Sequence, residues 1–150
     1  MCRVCSTRQL ASLRIWLVML ANVACLLSGC ASMGESKETA ERAVDVFHLR
    51  LDSEHYSEIY AQADEDFKKA SSQEELEKLV RAVHQKLGKV LAANQVGYLV
   101  NVNSNGTYVT LTYDTAFVEG KAMEQFVWRL RDHRAALYNY TVNSADLVIK

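Results

Sequence analysis

The sequence predicts an α+β domain: N-terminal helices packed on a curved antiparallel sheet of about four strands, after a segment that is cleaved away. Three observations carry this. Apolar residues recur at helical spacing as far as Leu87, where Gly88 ends the last helix. From Val90 onward the period changes to two, the repeat of a strand with one buried face. Asn105-Gly106 then sits between two alternating segments, the strongest short signal for a hairpin. Helices first and strands afterwards is the order of an α+β fold.

The first element is not part of that domain. Ile15 to Leu27 is a run of thirteen mostly apolar residues interrupted by Asn22, shorter than the ~20 that a membrane-crossing helix needs. Arg3, Arg8 and Arg14 precede it, and the small residues Ser28 and Gly29 follow, the layout of a secretory signal peptide. Leu27-Ser28-Gly29-Cys30 resembles the lipobox of bacterial lipoproteins. That resemblance implies a signal peptide at 1–29 and cleavage between Gly29 and Cys30. It also implies a diacylglycerol on the Cys30 thiol and an acyl chain on the new amine, with no other cofactor. A cysteine is required because its thiolate is the nucleophile that takes the lipid. Several chains, at ~0.8 kcal/mol per buried methylene, make a lasting anchor to the membrane. Ala31 stands where some lipoproteins carry an aspartate linked to inner-membrane retention, so the resemblance implies the outer membrane, facing the periplasm. Residues 30–36 are then the lipidated cysteine and a short tether, and 37–150 a single domain.

Charge excludes one class of partner. All 18 acids lie after Cys30, where 14 of the 17 basic residues remain, so the processed chain is near −4 and has no footprint for nucleic acid. Cys2, Cys5, Cys25 and Cys30 all lie in the first fifth of the chain. Cys2 and Cys5 have a CxxC spacing without a second pair, and the processed chain has no two cysteines to form a disulfide.

Within the domain, Ser36 or Thr39 caps a first helix whose Ala40, Ala43, Val44, Phe47 and Leu51 form one stripe, with His48 placed off it. A second helix from about Ser53 to Ala63 carries Tyr56, Ile59 and Tyr60. The third follows Ser72, with Glu74, Glu75 and Glu77 in its first turns and Leu76, Leu79, Val80, Val83 and Leu87 on one face. A turn at Asn105-Gly106 pairs Val102 with Val109, Val100 with Leu111 and Tyr98 with Tyr113. A turn at Glu119-Gly120 pairs Tyr113 with Phe126, Leu111 with Trp128 and Val109 with Leu130. A third, around His133 to Ala135, places Tyr138, Tyr140 and Val142 on the same face. Both of the first two turns put apolar side chains on one side of three successive strands, as a real meander requires.

The strings "DSEHYSEIYAQADEDFKKASSQEEL" (Asp52 to Leu76) and "LYNYTVNSADL" (Leu137 to Leu147) resemble the cone-shaped nuclear-transport-factor-2-like superfamily, and within it a bacterial lipoprotein family of unknown function. Enzymes of that superfamily move protons inside the cone. The resemblance therefore implies two readings. One is a non-catalytic binding or envelope-assembly module for a small apolar ligand or an envelope protein, which is the preferred reading. The other is an isomerase- or hydrolase-like enzyme.

The candidate pocket-lining residues are Tyr56, Tyr60, Tyr98, Tyr113, Trp128 and Tyr140, although rings at these positions also serve to pack helices onto the sheet. No catalytic residue is assigned. Asp114, read as the only acid well inside a strand, faces away from Leu111 and Tyr113, near Gln125 and within reach of Arg129. His48, His55, His84 and His133 lie on different elements without metal-ligand spacing, so no metal site is expected. Asp64-Glu65-Asp66 with Lys68-Lys69 reads as a solvated loop or helix face.

Overall fold

The computed structural model describes residues 34–149, so the expected signal peptide, the expected Gly29-Cys30 cleavage point and all four cysteines lie outside the described residues. Helix α1 spans 34–52 and already includes Gly34 to Ser36. Its core face is Ala40, Val44, Phe47, His48 and Leu51, the i, i+4, i+7, i+8 pattern of a helix laid on a sheet. Exposed Glu38 and Arg42, four apart at 2.5 Å, occupy the opposite side.

Helix α1 ends in a Schellman motif without glycine. Backbone His55 N donates to Arg50 O and Glu54 N to Leu51 O, with Glu54 left-handed at φ 59°. The expected second helix is α2 (Tyr56–Ala61), and beyond it lies a further short helix that was not expected, α3 (Glu65–Ala70), capped by the Asp64 side chain. Helix α4 (Gln73–Leu87) opens on a capping box between Ser72 and Glu75 and stops at Gly88, whose φ is 77°. A short α5 (Ala145–Ile149), not expected from the sequence, closes the chain. Among the described residues no helix is long and apolar enough to cross a membrane.

The sheet is a four-stranded antiparallel meander, β1 (Val90–Asn103), β2 (Gly106–Phe117), β3 (Gly120–Arg131) and β4 (Arg134–Asn143), in that spatial order. The α+β class and the four strands match the sequence prediction. The registers do not. Asn103 pairs with Gly106, so the first turn is Ser104-Asn105, and Val100 faces Val109 while Tyr98 faces Leu111. The Asn103 side chain accepts from Asn105 N at 2.8 Å, an Asx turn that moves the reversal one residue earlier. Phe117 pairs with Gly120, so the second turn is Val118-Glu119, and Leu111 faces Phe126 while Val109 faces Trp128. Here backbone Val118 N and Glu119 N donate to Lys89 O and Leu87 O, which pins the turn to the end of α4. Each shift moves a partner by two residues, so the inward face survives.

The third turn is Asp132-His133, with φ of 48° and 58° as the twist of a two-residue hairpin demands. A register shift at Val127/Trp128 then turns Leu137 and Tyr140 inward and Tyr138 outward. The expectation that Tyr138 shares the face of Tyr140 is thereby corrected.

Candidate functional site

One helix residue and residues of three strands meet over the centre of the sheet. On β3, alternation sends Ala122, Glu124, Phe126 and Trp128 toward the helices. Glu124 is 0 % exposed. Its Oε2 accepts from Thr115 Oγ1 at 2.6 Å and from His48 Nε2 at 2.8 Å, and its Oε1 accepts from the Tyr140 hydroxyl at 2.6 Å. Burial alone pushes the carboxyl up, but the hydrogen bond and charge of His48, with the hydroxyls of Thr115 and Tyr140, outweigh it and hold Glu124 below its ordinary value. Burial, then the Glu124 charge, raises the Tyr140 phenol well above its usual range. The group is an ionised carboxylate fully supplied with donors.

Beside this cluster, α1 and α2 stand apart from the β3–β4 hairpin and leave a cleft of about 570 Å³. Its apolar wall includes Val46, Phe47, Ile59, Trp128 and Leu137, and its polar residues include Arg42, Arg50 and Arg134. Phe47 belongs to both regions, since its ring also packs on Phe126 at 5.1 Å and Tyr140 at 4.8 Å. Glu124 does not line the cleft. Trp128 is only 5 % exposed, and its Nε1 has no acceptor among the described residues. An unpaired buried donor of this kind is costly and uncommon.

A third group lies on the outer face. Arg129 is 4 % exposed; its Nε donates to Asp64 Oδ2 at 2.6 Å, its Nη2 to Asp64 Oδ1, and its Nη1 to Asp66 Oδ2 at 2.7 Å. The guanidinium lies over Tyr138 at 5.4 Å and near Tyr108 at 6.0 Å. Asp64 arrives there because Ala63 bridges to Leu137 and Asp64 N donates to Leu137 O, wrapping the chain around the outer strand. Hydrogen bonds from Lys69, then Arg129, bring the Asp66 carboxyl down to about 2.

The six candidate pocket residues do not converge. Trp128 lines the cleft, while Tyr140 serves Glu124. Tyr113 is buried opposite Glu124, and desolvation, then Glu41 and Asp45, pushes its phenol up to about 12. Tyr56 is buried with its hydroxyl 3.1 Å from His84 Nδ1, and the Tyr60 hydroxyl donates to Ser71 O. Tyr98 shares the inner face but is 61 % exposed on the uncovered edge strand β1, with Lys37 Nζ 5.3 Å from its ring centre.

Other expectations are corrected. Asp114 is exposed as its parity requires, but it faces Met123 rather than Gln125, and Arg129 is taken by Asp64 and Asp66. The Asp64-Glu65-Asp66 run is not simply a solvated face, since Asp64 is buried. His48 belongs to the apolar stripe, not off it. Glu124, and not Asp114, is the acid inside the sheet. Its parity with Phe126 and Trp128 was the available signal, because those rings define the inward face of β3. Among the described residues no group of three or more His, Cys, Asp or Glu is placed to hold a metal ion.

Residues 43–140 match a family of proteins of unknown function, DUF4019, a span that includes His48, Asp64, Glu124, Trp128, Arg129 and Tyr140. No curated protein matches the sequence.

Proposed function

The chain belongs to that family of unknown function, and on this premise we propose that it is a lipid-anchored envelope lipoprotein whose α+β domain is a non-catalytic binding module. In this reading Cys30 carries the lipid, the domain faces the periplasm from the outer membrane, and the fold is of the nuclear-transport-factor-2-like kind. The observation that supports binding is the cleft between α1, α2 and the β3–β4 hairpin, with Trp128 among its lining residues. A cavity of several hundred Å³ with an apolar lining and a few polar groups is the usual form of a small-molecule site. Catalysis by proton transfer needs a base in reach of the substrate. Glu124, the strongest candidate, lies in the core with its oxygens accepting from His48, Thr115 and Tyr140, and does not line the cleft.

Two experiments test the two halves of the reading. Cys30→Ala abolishes acyl labelling and leaves an uncleaved precursor; continued labelling of this variant refutes the anchor. After removal of residues 1–29, Trp128 is the only tryptophan, because the other is Trp16. Its emission therefore reports on the cleft, and an apolar ligand that enters changes it. Emission unmoved by every apolar compound offered argues against a binding cleft.

A further inference from the structure

The cleft carries a second kind of information beyond its apolar wall. Its polar residues include three arginines and no acid, in a domain whose processed chain holds 18 acids against 14 basic residues. Two of these guanidiniums are engaged: Arg42 donates to Glu38 at 2.5 Å, and Arg50 to Glu58 at 3.2 Å and Gln62 at 2.6 Å. Arg134 is exposed, follows directly on the Asp132-His133 turn, and makes no ion pair among the described residues. Trp128 also lines the cleft, and its buried indole N–H has no acceptor among the described residues.

Arginines and apolar side chains lining one cleft are complementary to one kind of molecule. We propose that the cleft binds a small amphipathic anion, with its apolar body against Phe47, Ile59 and Leu137 and its acidic group held by Arg134, next to Arg42 and Arg50. Guanidinium suits this task because its planar fork matches the oxygens of a carboxylate, sulfonate or phosphate. The inference rests on the binding reading above and adds the charge of the ligand.

A matched pair of probes separates the two. 8-Anilinonaphthalene-1-sulfonate and N-phenyl-1-naphthylamine share one apolar skeleton and differ by the sulfonate. The protein is a soluble form beginning at Ala31, which retains every residue of the core, from Ala40 to Tyr140. Probe emission and Trp128 quenching are titrated together. The expected result is that the sulfonate binds about tenfold more tightly than the neutral probe, a difference of one good charge-assisted contact. Arg134→Ala removes that preference while leaving the neutral probe and the thermal melt unchanged, and Arg134→Lys restores part of it. Equal binding of both probes, indifferent to Arg134→Ala, overturns the anion assignment but leaves a binding cleft. Failure of both probes to bind with quenching of Trp128 overturns the binding reading itself.

Discussion

At the scale of single residues, Glu124 is the most consequential side chain in the core. Three donors converge on it from α1, β2 and β4, so its removal strands His48, Thr115 and Tyr140 together. Glu124→Ala is expected to cost at least about 3 kcal/mol, the usual penalty for breaking a buried charged pair from one side. Glu124→Gln, which keeps shape and one acceptor, costs less. The pH dependence has a definite sign. Glu124 is held below the 4.5 of a free side chain, so its stabilisation is complete above that value and is lost as the pH falls through the lower folded value. Melting curves from about pH 7 to about pH 3 should show the wild type losing its advantage over Glu124→Gln on acidification; parallel curves would mean that Glu124 is not ionised in the core. Neither His48 nor Glu124 was found from the sequence, for one physical reason. Both stand at apolar positions of their elements, one helical turn or two strand residues from buried neighbours, and polarity alone suggested solvent. A polar residue can hold a buried position when its partners do the same, and the His48–Glu124 pairing joins positions 76 apart in sequence.

At the scale of elements, the ends are where sequence reading and structure part. The Ser72 cap and the Gly88 stop of α4 were legible because they use residue types that these positions favour. The end of α1 was not, because its left-handed residue is Glu54 where glycine is usual. Glu54→Gly should therefore stabilise the domain by about 1 kcal/mol, by removing the left-handed penalty that a side chain incurs. Urea denaturation measures it, and a loss of stability would show that the Glu54 side chain contributes more than its backbone costs. The hairpins were found but displaced by one residue each. Their positions depend on contacts outside the turn residues, the Asn103 side chain in one and the end of α4 in the other.

At the scale of the molecule, the α+β order and the inward faces of β2 and β3 were legible because period and parity are local properties of a strand. The wrapping of the chain around β4 was not, since it depends on Asp64 meeting Arg129 across 65 positions. Asp64→Ala is expected to cost about 3 kcal/mol by leaving a buried guanidinium without its principal partner, while Asp66→Ala, whose side chain is half exposed, costs clearly less. Chemical denaturation of the two variants checks the order; equal losses would show that the clamp does not depend on burial. The His48–Glu124 contact spans 76 positions and has a consequence in time rather than in energy. The strands of the meander are neighbours in sequence and can zip as they appear. Among the described elements helix α1 is synthesised first, and at roughly 5–20 residues per second its apolar stripe waits several seconds for the strand that will cover it. The newborn chain therefore passes through an interval in which the apolar stripe of α1 is complete and the strand that covers it is not yet made.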